Sequence, residues 1–310
     1  MTEVAAEECL ALSRRAVFET YRARETALGN LPIARALPVR GRRLIGAWCF
    51  LDRYGPISFT DDKPMDVAPH PHIGLQTVSW LVAGEVVHHD SLGLEGVVRP
   101  GGVNVMTAGR GIAHAEETPV RNEGRLHGVQ LWIALPEEHR NTDPAFDPIP
   151  RVPSVELPGG VVQIFVGELE GERSPAPLFS DLVGMDAAVH PGERLIVPAS
   201  ASSEYGVMLL GGEAEFDGTP LDGNAIHYLG CGRTEIPFRS AAGARLLLLG
   251  GVPLGEPVLM WWNFVARTRE EIAAARAAWE RGELGEVRAY EGPRLEAPPL
   301  ERIAPPNPAS

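Results

Sequence analysis

The chain has 310 residues, 44% hydrophobic and 22% charged, which allows two lobes or one large barrel with a sizeable core and argues against disorder across the body. Its formal net charge is -13, and no lysine or arginine stripe gathers to neutralise phosphates, so nucleic acid is excluded as a direct partner. The amino terminus lacks a signal-peptide pattern and no run has bilayer-spanning length, so a cytoplasmic protein without a membrane partner is expected.

In chain order, Ala5 to Arg24 reads as one amphipathic helix inside an N-terminal helical extension over 1–29. Strand patterns then dominate. "RLIGAWCFLDRYGP", "TVSWLVAGEVVHH", "VNVMTAG" and "HGVQLWIAL" are short runs rich in branched and aromatic residues, bounded by Gly, Pro and Asp. Glu137 to Pro153, "EEHRNTDPAFDPIPRVP", reads as a linker, and strands resume at Val161 with "VVQIFVGE", "GVMLLGGEAEF" and "ARLLLLGG". Many short strands with frequent turn signals predict an all-β fold of sandwiches or barrels. Near the end, Thr268 as N-cap with Glu271 three residues on predicts a helix that buries Ile272, Ala275 and Trp279 and stops at Gly282. The proline-rich segment 291–310 reads as an extended tail, either loose or draped over the surface. Cys9, Cys49 and Cys231 are far apart and form no CxxC pair, which points to neither a disulfide framework nor a zinc clip.

Two patterns carry chemistry: "HPH" at His70 and His72, and "HAE" at His114 and Glu116. Residues i and i+2 of a strand share a face, so each pair can present two donor atoms to one interior. A lone HxH is more often a rim or core feature; an HxE some forty residues on, with glycines around both, favours a metal site. Three imidazoles and a carboxylate, without thiolates, leave open positions on an octahedral ion and favour ferrous iron, with manganese, nickel, copper and zinc as alternatives.

"HPHIGLQTVSWLVAGEVVHHDSLG", "RPGGVNVMTAGRGIAHAEE" and "PLGEPVLMWWNFVARTREEI" together resemble the pirin family of the cupin superfamily over roughly residues 30 to 290. The resemblance implies a bicupin of two antiparallel β-barrel lobes with a few peripheral helices: a metal-binding cupin over 30–145 and a second cupin without a metal site over 155–290. It places the family's ligands on His70, His72, His114 and Glu116, and implies quercetin 2,3-dioxygenase-like activity or, as in eukaryotic members, a redox-dependent transcription cofactor. Many members read HPHRGFET where this chain has "HPHIGLQT", so Ile73, Leu75 and Gln76 replace an arginine, an aromatic and a carboxylate and alter the charge around the ligands. Sliding the second half onto the first puts Pro198 and Ser200 at the positions of His70 and His72, and Glu235 and Pro237 at those of His114 and Glu116; no HxH or HxE recurs there.

The adjacent His88 and His89 face opposite sides of a strand, and a polar barrel mouth is the favoured reading of both over a proton-transfer role. His139, His190 and His227 read as loop or edge residues, Trp80 as core, "WWNFV" as cover between lobes and Cys231 as an inert thiol. Two functional classes follow. One is an iron-dependent dioxygenase acting on a small planar aromatic enol, with Glu116 as catalytic proton acceptor. The other is an iron-dependent redox-sensing protein that reports to a protein partner without turnover. A metal-free or zinc-filled scaffold ranks last.

Overall fold

Short strands, many of them buried along most of their length, build two pairs of antiparallel sheets and two small two-stranded ribbons, and the computed structural model describes residues 17–60 and 63–300. In the first lobe a seven-stranded sheet runs in the spatial order Ala145–Ile149, Val103–Thr107, Leu75–Ala83, Arg125–Ala134, Trp48–Ser58, Leu31–Leu37, Arg24–Leu28. A four-stranded sheet accompanies it, in the order Asp66–His72, Ile112–Glu117, Val86–Asp90, Glu95–Val98. The second lobe repeats the plan. Its large sheet runs Glu19–Arg22, Ala225–Gly230, Glu204–Gly212, Ala244–Gly251, Leu182–Val189, Gly160–Val166, Ser154–Leu157, and its small sheet runs Arg194–Pro198, Glu235–Arg239, Glu215–Phe216, Thr219–Pro220. This is the all-β, two-jelly-roll architecture that the sequence predicts.

Two compact units divide the chain, and neither is one continuous segment: residues 26–33, 53–150 and 256–300 form one, residues 17–25, 34–52 and 151–255 the other. The unit with the "HPH" and "HAE" motifs is filled by Leu31, Tyr54, Met65, Leu81, Val86 and Leu126, among others. The other has a larger apolar cluster that includes Leu195, Val197, Phe216, Ile236, Phe238 and Leu248.

The C-terminal helix forms as expected, over Arg269–Glu280. Thr268 accepts from the Glu271 backbone N–H, Glu271 completes the capping box, and Ile272, Ala275 and Trp279 are buried. Ahead of it, Leu259–Trp261 and Phe264–Ala266 make a hairpin whose turn holds Trp262 at φ +52°. In "WWNFV", Trp261 and Phe264 pack with Ile272 and Ala275 of the helix and with Ile73. The tail up to 300 is draped: the Leu295 N–H donates to the Pro69 carbonyl, and Trp279 Nε1–H donates to the Leu295 carbonyl. Among the described residues no helix is long and apolar enough to cross a membrane.

Three expectations need correction. The helix over Ala5 to Arg24 does not extend through Glu19–Arg22, which is a strand paired with Ala225–Gly230 from Glu19↔Tyr228 to Arg22↔Ala225; residues up to 16 lie outside the described chain. A sheet edge offering backbone partners outweighs a weak local helix preference. The linker Glu137–Pro153 contains the strand Ala145–Ile149, where Pro148 is tolerated because the strand lies at the sheet's edge and Phe146 is buried. Cys231 is disulfide-bonded, so it is not a free thiol.

Candidate metal centre

The strand Ile112–Glu117 is the middle of the site, because it pairs on both sides. On one side His114 lies opposite His70 and Ile112 opposite His72; on the other, His114 lies opposite Asp90 and Glu116 opposite His88. Directly opposed residues share a face, so His70, His72, His88, Asp90, His114 and Glu116 gather over one side of the small sheet. A register shift between His114 and Glu116, against His70 and Val67, marks a bulge within the HAE motif.

Gly74 turns the chain out of the ligand strand at φ +68°, and any Cβ there would collide with the Val265 carbonyl. The close approach brings the Leu259–Ala266 hairpin against His72. Val265 N–H donates to the Ile73 carbonyl, and His72 Nδ1–H donates to the Asn263 carbonyl at 3.0 Å, 191 residues away in sequence.

All six side chains are buried, His114 completely. His70 Nδ1–H donates to the Ala68 carbonyl at 2.9 Å. Since a carbonyl can only accept, His70 and His72 carry their protons on Nδ1 and leave Nε2 bare. His72 Nε2 lies 3.1 Å from His114 Nε2, and the donor atoms of His70, His72 and His114 fall within 4.8 Å of one another. Bare nitrogens crowded together repel unless a cation lies between them, so the donor set fits a bound metal ion. Electrostatics agrees with that fit. Burial pushes the His70 imidazole from 6.5 down to about 4, against the opposing Ala68 hydrogen bond, and burial together with the neighbouring imidazoles holds His72 and His114 well below their ordinary value. The three ligands are neutral at neutral pH and need lose no proton to bind a metal.

Glu116 lies to one side. Its carboxylate meets His114 and His88 within 4.8 Å and accepts a hydrogen bond from the Ser79 hydroxyl at 3.0 Å. Burial raises its pKa, with the neighbouring His88 and the Ser79 hydrogen bond opposing.

His88 is not a rim residue. It is buried, stacks on Phe146 with ring centroids 3.9 Å apart, and sets Nδ1 3.2 Å from His114 Nδ1. His89 faces the other way, toward Glu95 at 3.1 Å and Glu117 at 3.4 Å, as alternation requires, but it too is buried and is not a rim residue. His227 is also buried, in the strand Ala225–Gly230, and is not a loop or edge residue. Sequence reasoning missed Asp90 and the Asn263 carbonyl; the first needed the cross-strand register, and the second a tertiary contact with no local signal. Among the described residues, both groups with metal-binding spacing lie in this lobe.

The sequence matches the pirin family over residues 30–133 and the pirin C-terminal cupin domain over 184–285. The chain belongs to the pirin family. A Pseudomonas aeruginosa protein whose name proposes a quercetin 2,3-dioxygenase is 47% identical over 283 residues, covering 91% of this pirin-family chain and 89% of its own. A pirin-like protein of Caulobacter vibrioides is 36% identical, covering 85% and 93%. The crystal structure of a quercetin 2,3-dioxygenase from Acinetobacter baumannii superposes with a TM-score of 0.89 at 42% identity, over 93% of this chain and 97% of that one. The two lobes are therefore cupins, and the His70, His72 and His114 cluster is a cupin metal site.

Proposed function

We propose that this pirin-family chain is a quercetin 2,3-dioxygenase-type oxygenase that opens a flavonol-like aromatic enol at ferrous iron. In this reading His70, His72, His114 and Glu116 hold the ion within the unit that carries both motifs, and the second cupin, over 151–255, is structural. The observation that carries it is the convergence of neutral imidazoles, with their Nδ1 protons engaged elsewhere, beside a buried carboxylate. The named relatives support the substrate class, and the donor set supports iron over a structural zinc, which prefers thiolates.

When bound, the ion supplies redox chemistry toward dioxygen and acidifies a coordinated hydroxyl. The chain supplies the rest. Glu116 takes the substrate's hydroxyl proton: burial makes its carboxylate a stronger base than usual, while the Ser79 hydrogen bond on Oε1 fixes its orientation. Phe146 and Trp132, set against His88 and His72, give the site aromatic walls.

The test is dioxygen consumption by anaerobically iron-loaded protein on adding quercetin, beside the His72→Ala variant. Uptake that requires His72 is expected. No uptake by fully loaded protein would sink the flavonol reading and favour the redox-sensing protein without turnover.

A further inference from the structure

Of the three imidazoles, His70 and His72 have their Nδ1 protons held by backbone carbonyls, but His114 does not: its Nδ1 faces another imidazole, His88. Two ring nitrogens share one proton in such a contact, so something must decide which carries it. The other side of His88 does so. His88 Nε2 lies 3.3 Å from Asp90 Oδ2, and a carboxylate accepts only. With its proton on Nε2, His88 has a bare Nδ1 and must accept from His114 Nδ1–H. His114 Nε2 is thereby left bare, toward His72.

Asp90 is itself anchored. Its Oδ1 accepts the backbone N–H groups of Leu92 at 2.9 Å and Leu94 at 3.0 Å, which leaves Oδ2 for His88. Stacking on Phe146 at an interplanar angle of 9° fixes the His88 ring in its plane. The remaining charged neighbour on this face is Glu116, whose Oε1 is engaged by Ser79; Glu95 and Glu117 reach His89 on the opposite face.

We propose that Asp90 and His88 are positioning residues that set the tautomer of His114, so that its Nε2 lone pair is presented to the metal. The inference rests on the metal-site reading above and adds residues outside its ligand set. Outer partners of ligating histidines are usually single carbonyls or carboxylates. Here the signal passes through a second imidazole, so a change at Asp90 reaches the ligand with its direction reversed.

That reversal gives the test. In Asp90→Asn the amide oxygen must stay on the Leu92 and Leu94 N–H groups, which turns the NH2 toward His88. His88 then accepts at Nε2 and donates from Nδ1, and His114 becomes protonated on Nε2, the atom meant for the metal. Ring ¹⁵N shifts of labelled histidine in metal-free protein are expected to report Nδ1–H for His114 in the wild type and Nε2–H in Asp90→Asn. Zinc(II) affinity, measured by chelator competition, is expected to fall about 10–100-fold in Asp90→Asn, the range for loss of an outer partner. His88→Phe keeps the aromatic stack but removes the acceptor at His114 Nδ1, so His114 should turn its proton to Nε2, toward the bare His72 Nε2, and lose affinity as well. Glu95→Gln removes a nearby charge on the other face and should change neither readout. A purely structural role for Asp90 would lower thermal stability and leave the tautomer alone. His114 in the Nδ1–H form with wild-type zinc affinity in Asp90→Asn would overturn the proposal. Failure of the wild type to bind zinc(II), manganese(II) or iron(II) would instead overturn the metal-site reading, with the tautomer in metal-free protein still deciding the role of Asp90.

Discussion

The two lobes share a strand plan and differ in what fills it. In the first, His70 lies opposite His114 on the small sheet; in the second, Pro198 lies opposite Glu235 in the equivalent pair of strands. The second pairing runs in register from Arg194↔Arg239 to Pro198↔Glu235, whereas the first shifts between His114 and Glu116. Around the unbroken strands Leu195, Val197, Ile236 and Phe238 close into apolar core; around the bulged ones six polar side chains are buried together. The comparison teaches that the jelly roll itself demands no polar interior. Apolar side chains suffice to fill it in one lobe, and the other bears the cost of burying imidazoles and carboxylates together.

The sharpest way to break this contrast is to remove a ligand. His114→Ala should reduce zinc(II) affinity by more than the roughly 10–100-fold typical of an outer partner, whereas Pro198→Ala should leave it unchanged, both read by chelator competition. Next comes the filling of the second lobe. Phe238→Ala, at a site 1% exposed, should cost about 3–5 kcal/mol in denaturant unfolding without altering the metal content of the folded fraction.

Acid should separate the lobes more gently. His70 titrates near 4 when folded and near 6.5 when unfolded, so between those values the unfolded chain binds more protons. The stability contribution is complete above about pH 6.5 and lost as pH falls through about 4. Melting temperatures of metal-free protein should therefore drop across this window, and His70→Asn should flatten the slope. The smallest effect is at the helix beside the site: Thr268→Ala removes a capping box and should cost about 0.5–2 kcal/mol in thermal unfolding, without change in zinc(II) affinity.

Much of this was legible from local pattern. HxH and HxE in strands place side chains on one face by the period of two, and the Thr268–Glu271 box announces a helix by hydrogen bonds that span three residues. The N-terminal strand was not legible, since Glu19–Arg22 owes its conformation to Ala225–Gly230, far away in sequence. Nor was the strand Ala145–Ile149, whose Pro148, with Pro144 and Pro150 beside it, mimics a linker until an edge position is available.

The adjacent histidines mark the boundary most clearly. Alternation alone says that His88 and His89 point to opposite faces, but it cannot say which face is the interior. That choice depends on the register that sets His88 opposite Glu116, and register is a property of paired strands. The sequence by itself determined the donor types, their spacing and the two-lobed β-plan, because these follow from side-chain chemistry and backbone period. Tertiary structure decided which nitrogens are bare, because that depends on the Ala68 and Asn263 carbonyls and the Asp90 carboxylate, which folding alone brings within hydrogen-bond reach.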